Sequence, residues 1–118
     1  MAENMMFSFL LVSDLVILLL VASPTSAMTC ADAIDYVRPC AGFFIGGAPV
    51  PGDECCSGAK TLNQIAAASE EDRKTACECL KQAAKRVKID LGKAKMLPQI
   101  CNFTPVIPID PDVDCSSR

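Results

Sequence analysis

Eight cysteines carry most of the chemistry open to this sequence. They fall in the order Cys30-x9-Cys40-x14-Cys55-Cys56-x20-Cys77-x-Cys79-x21-Cys101-x13-Cys115. Thiols in such numbers either hold a metal as thiolates or oxidise to disulfides. The metal alternative is disfavoured, because the chain has no C-x2-C pair and no histidine to complete a common zinc site. Without histidine there is also no Ser-His or Cys-His nucleophile pair and no imidazole acid or base. No enzyme activity, metal or cofactor is expected. A second group, Glu70, Glu71 and Asp72 followed by Arg73, gathers three carboxylates and a guanidinium. These could be imagined as an acid/base pair or a Ca2+ ligand set, but an acidic cap at the start of a helix explains them more economically.

An even number of cysteines in a short chain calls for an oxidising compartment, and the start of the sequence supplies the route there. Leu15 to Ala22 is an apolar run, and Pro24-Thr25-Ser26-Ala27 follows with small residues at the cut-site positions. Residues 1–27 therefore read as a secretory leader and residues 28–118 as one domain. The apolar run is far short of the ~20 residues that a membrane span needs. Beyond residue 27 there are 11 basic and 12 acidic residues, a net charge of −1. Electrostatic binding of nucleic acid is not favoured by that balance.

The elements that must position the cysteines are short amphipathic helices, four of them by apolar spacing. Ile34, Val37, Ala41, Phe44 and Ile45 mark the first, with Thr29 as N-cap, Asp32 three residues on, Pro39 as a kink and Gly46-Gly47 as its close. The second follows Pro51-Gly52 with Asp53 as candidate N-cap and brings Ala59, Leu62, Ile65 and Ala66 to one face. In the third, Ser69 caps an acidic first turn, and Ala76, Leu80, Ala83, Ala84 and Val87 form the apolar stripe. The fourth starts at Asp90 and carries Leu91, Ala94 and Leu97, with Pro98 near its end. Pro105, Pro108 and Pro111 deny regular structure to the rest, which is expected to run as an extended, wrapping tail.

Adjacent Cys55 and Cys56 cannot easily close on each other, nor can Cys77 on Cys79. Spacing alone leaves 105 pairings open. Four cross-links at roughly 3 kcal/mol each are comparable to the whole stability of a small domain. A chain held this way need not fill its interior densely. The residues alone favour a small solid aliphatic core, and composition permits a hollow one, since only Tyr36, Phe43, Phe44 and Phe103 beyond residue 27 are aromatic.

Within that framework several blocks resemble the plant non-specific lipid transfer proteins of type 1, in the wider eight-cysteine helical superfamily. They are Arg38-Pro39-Cys40, Gly46-Gly47, the stretch from Cys55 to Asn63, Ala76-Cys77-Glu78-Cys79-Leu80-Lys81, and Leu97-Pro98-x-x-Cys101. The resemblance spans Cys30 to Cys115. It implies an all-α fold of four short helices, stapled by Cys30–Cys79, Cys40–Cys55, Cys56–Cys101 and Cys77–Cys115, with an extended C-terminal tail around an apolar tunnel. It also implies that fatty acids, lysophospholipids or phospholipids are bound and shuttled with broad specificity, by a secreted monomer of the cell wall or apoplast. Cuticle formation and defence are the roles such a tunnel serves in the family.

By position, the expected wall comprises Ile34, Val37, Leu62, Ile65, Leu80, Ala84, Val87, Leu91, Leu97, Val106, Ile107 and Ile109. Ser69-Glu70-Glu71-Asp72-Arg73 fits the family pentapeptide (T/S)-x-x-D-(R/K), so Arg73 matches the basic residue that meets a lipid head group at the tunnel mouth. The second pentapeptide is poorly kept: Val106-Ile107-Pro108-Ile109-Asp110 puts Ile107 where the family places an aromatic hydroxyl. The family's basic character is also missing, and the run Lys81 to Lys95 is the only candidate for transient contact with a membrane surface. The rival from another class is an eight-cysteine protease or amylase inhibitor presenting the loop Gly47 to Gly52.

Overall fold

The computed structural model describes residues 28–116; the expected leader lies outside the described residues. Four helices follow in order. Helix α1, Cys30–Val37, passes through a 3-10 turn, Arg38–Cys40, into a further helical turn, Ala41–Phe44. Helices α2, Asp53–Ala68, α3, Glu70–Arg86, and α4, Leu91–Ile100, complete the set. No strand occurs among the described residues.

Helices α1, α3 and α4 start where a side chain satisfies an orphan amide of the first turn. Thr29 Oγ1 accepts from Asp32 N, and Asp32 Oδ2 accepts from Thr29 N, closing a capping box on α1. Donation to the Asp32 carboxylate, from the Thr29 amide first and the Thr29 hydroxyl second, holds it below the ordinary aspartate range. Pro39 lacks the N–H that a continuous α-helix requires, so the chain tightens into the 3-10 turn and resumes beyond it. The expected kink is found there.

Gly47, at φ +78°, turns the chain out of this first helix. Helix α2 corrects one expectation: Gly52 is the N-cap and Asp53 the first helical residue. Asp53 and Glu54 face the positive end of the helix dipole from within the first turn. Ser69 ends α2 and caps α3, accepting from Asp72 N, while Asp90 caps α4 by accepting from Lys93 N.

The disulfides are Cys30–Cys79, Cys40–Cys55, Cys56–Cys101 and Cys77–Cys115. Between them they tie α2 to the first helix and to α4's end, and α3 to the start of α1 and to the tail. Many buried side chains are small: Ala33, Ala59, Ala66, Ala76 and Ala94. Small side chains let the helices approach closely; at Gly58 a Cβ would overlap the Tyr36 carbonyl oxygen. Two apolar clusters result. One joins α1, α2 and α3 around Ala33, Leu62, Ala66 and Ala76, and the other joins Phe43 and Phe44 to Ala94 and Leu97 of α4.

The tail closes over both clusters. Asn63 of α2 fixes it with both ends of its side-chain amide: Nδ2 donates to Thr104 O at 2.8 Å, and Oδ1 accepts from Val106 N at 2.9 Å. Ile107 then plugs the interior at 8% exposure. The far end is held by Cys115.

Candidate functional site

Beneath the tail the apolar tunnel takes the form of three adjoining hollows. The innermost, about 40 Å3, lies among Val37, Ala59, Leu62, Asn63, Leu80, Leu97, Phe103, Ile107 and Ile109. A second, about 330 Å3, opens between α4 and the tail, against Ala94, Lys95, Pro98 and residues 105–110. A third, about 140 Å3, is bounded by Arg73, Cys77, Val106, Pro108, Val113, Asp114 and Cys115. The first two share Ile107 and Ile109; the last two share Val106 and Pro108. Tail side chains are thus the partitions. The innermost hollow takes a few waters' volume, too little by itself for a whole acyl chain.

Of the expected wall residues, the fold brings Val37, Leu62, Leu80, Leu97, Ile107 and Ile109 together at the innermost hollow. Val106 and Arg73 meet at the third. Ile34, half-buried against the first apolar cluster, also lines with Val87 an open groove of about 720 Å3 between α1 and α3, with Glu78 and Gln82 on the face of α3 turned away from Leu80. Val87 is 41% exposed there, having passed the end of α3 into extended backbone. Ile65 is half-buried against the first apolar cluster, Ala84 is half-buried, and Leu91 is exposed at the first position of α4.

Sequence reasoning missed Asn63 as a site residue, along with Ala59, Phe103, Pro105 and Pro108. For Asn63 a signal existed: it stands beside Leu62 and one turn from Ala59 and Ala66, a polar group at the edge of an apolar stripe.

The electrostatics of the third hollow centre on Arg73. Its Nη2 is buried and has no hydrogen-bond partner, although the side chain as a whole is 25% exposed. Glu70 Oε1 lies 3.6 Å away, an ion pair too long for a hydrogen bond, and is 3.9 Å from Lys74 Nζ as well. Asp72 does not pair with Arg73 in the structure; it accepts instead from Met28 N. Asp114 shares the hollow. Its carboxyl sits below the ordinary range, chiefly through the Ser116 hydroxyl at 2.6 Å and also the Ser116 amide. A guanidinium at the edge of an apolar space can hold an acidic head-group oxygen joined to a hydrocarbon, with Glu70 and Asp114 opposing an excess of negative charge.

Four stapled helices closed by a tail over apolar space constitute the architecture of the eight-cysteine helical superfamily. A sequence profile described as "Protease inhibitor/seed storage/LTP family" matches residues 30–115. A non-specific lipid-transfer protein of Beta vulgaris is 45% identical over 105 residues, covering 87% of this chain and 88% of its own. One of Pinus taeda is 40% identical over 91 residues, 76% of this chain and 73% of its own.

Among solved structures, barley non-specific lipid transfer protein 1 in complex with a lysophosphatidylcholine superposes with a TM-score of 0.68 at 36% identity, covering 75% of this chain and 97% of that one. The wheat protein complexed with prostaglandin B2 gives 0.65 at 33% identity, over 75% and 98%. The chain belongs to the protease inhibitor/seed storage/LTP family, among its non-specific lipid-transfer proteins. The resemblance read from its sequence is thereby borne out, and the four disulfides it implied are those observed.

Proposed function

We propose that this protein binds and shuttles fatty acids, lysophospholipids and phospholipids, lodging acyl chains in the apolar space beneath the tail. The observation that carries this reading is Arg73, whose buried Nη2 has only a long ion pair to Glu70 and no hydrogen-bond partner, in a residue that lines a hollow with Val106, Pro108 and Val113. A buried donor left unpaired is costly, and a phosphate or carboxylate oxygen would satisfy it. The relatives' bound ligands, a lysophosphatidylcholine and prostaglandin B2, support the same chemistry.

Affinity needs little directional bonding. Ten buried methylenes contribute roughly 8 kcal/mol, the free energy of a micromolar Kd before association entropy is charged. A wall of Val, Leu and Ile separates chains differing by one methylene only weakly, which gives broad specificity. We read the protein as a secreted monomeric carrier of the cell wall or apoplast, not an enzyme.

The test is displacement of a fluorescent fatty acid by lauroyl lysophosphatidylcholine, laurate and the matched alcohol, dodecanol. Micromolar displacement by all three is expected, and Arg73→Ala should weaken laurate and the lysophospholipid while leaving dodecanol unchanged. Equal loss for all three would refute the head-group role. Absence of uptake together with inhibition of a protease or amylase would replace the carrier reading with the inhibitor one.

A further inference from the structure

The main-chain nitrogen of Met28 donates to Asp72 Oδ1 at 3.0 Å, across 44 positions of sequence. Met28 itself is 7% exposed and belongs to the apolar cluster between α1, α2 and α3. Asp72 occupies the third position of α3, from which an acidic side chain commonly returns to the amide of its own N-cap residue. Asp32 does so from the same position on α1. Asp72 instead reaches the start of the domain. Nearby, Arg73 and Lys74 both draw on Glu70, at 3.6 and 3.9 Å. The first turn of α3 carries three carboxylates, so a further cation enters a negative site.

The leader boundary falls between Ala27 and Met28 by its small residues. We propose that cleavage there makes the new N-terminus of Met28 an ion-pair partner of Asp72, so that processing itself fastens the start of the domain to the first turn of α3. A leader peptidase of the secretory route hydrolyses the Ala27–Met28 bond. The C–N bond breaks, water oxygen joins the Ala27 carbonyl as a carboxylate, and the Met28 nitrogen takes up protons to become an α-ammonium. One amide donor becomes a charged group with three, already 3.0 Å from a carboxylate. The pair fastens the start of α1 to the helical turn that carries Arg73. It is specific in register: an extra residue at the N-terminus moves the ammonium by about 3.8 Å and restores the amide.

This inference rests on the leader reading, not on lipid binding. The full chain is secreted from a eukaryotic host as three proteins: natural, Asp72→Asn, and one with Gly-Ser inserted between Ala27 and Met28. A fourth combines the two changes. Intact mass gives the N-terminus, and thermal unfolding with the disulfides intact gives Tm. The natural protein should begin at Met28. Either change alone should lower Tm by about 4–8 °C, and the combination should lower it no further than one alone. A natural N-terminus at another residue overturns the cleavage site; additive losses, or none, overturn the pair. Fatty-acid displacement on the same four samples reports separately on the carrier reading.

Discussion

Asn63 is the residue on which admission of a guest should turn. Its amide makes two hydrogen bonds to the tail, to Thr104 O and from Val106 N, and Val106 forms part of the partition between two hollows. Asn63→Ala removes both. At about 0.5–1.5 kcal/mol net each, with one of the two exposed to water, the loss is about 1–2 kcal/mol. The tail keeps its cystine at Cys115 and the buried Ile107, so the chain stays folded and the cost falls on local opening. An opening equilibrium raised by that amount is about 5–30 times more populated. Stopped-flow release of a fluorescent fatty acid should accelerate by that factor.

Asn63→Asp is the internal control. It keeps an acceptor for Val106 N but sets an oxygen against the Thr104 carbonyl, so it should not restore the natural rate. An unchanged off-rate in Asn63→Ala would refute the idea that the tail gates the interior. Loss of global stability without faster release would assign Asn63 a purely structural role.

Leu97 is 1% exposed and borders the innermost hollow; Leu97→Ala should cost about 2–5 kcal/mol in chemical unfolding while raising the affinity for a branched acyl chain, as titration would show. Gly58→Ala should destabilise by about 1–3 kcal/mol or more, because its methyl meets the Tyr36 carbonyl, a backbone atom that cannot swing aside. The Asp32 carboxyl is held below its ordinary range by Thr29, so its contribution is complete above about pH 4 and fades as pH falls through the lowered folded value. Acid titration followed by amide exchange at Thr29 should show the first turn of α1 opening there, and Asp32→Asn should abolish the pH dependence.

The helices were legible because each begins at a residue with a local mechanism. Thr29, Ser69 and Asp90 accept the hydrogen bonds their chemistry suggests, and Pro39 interrupts α1 where its missing N–H requires. Asp53 misled because an acidic residue is equally at home at the cap and in the first turn, and Gly52 could take the cap without a side chain. Of the residues expected to form the wall, those central to each stripe meet at one hollow and those at its margins do not. An apolar stripe marks one broad side of a helix, and Ile34 and Val87, on the margins, turned toward the outer groove. Leu91 sits at the very start of its helix, where periodicity says little about burial. Asn63 is marked as a polar group at the edge of an apolar stripe, but its role depends on where the proline-rich tail returns, and no local pattern encodes that path.

The span from Cys101 to Cys115 is anchored covalently at both ends, on α2 through Cys56 and on α3 through Cys77. Such a strap can bow without ever coming loose, and the number of residues in it fixes how far it can bow. Cargo girth is therefore set by slack. Adding or deleting a residue between those two cystines would resize the compartment while every helix kept its place, a route to new ligand preferences.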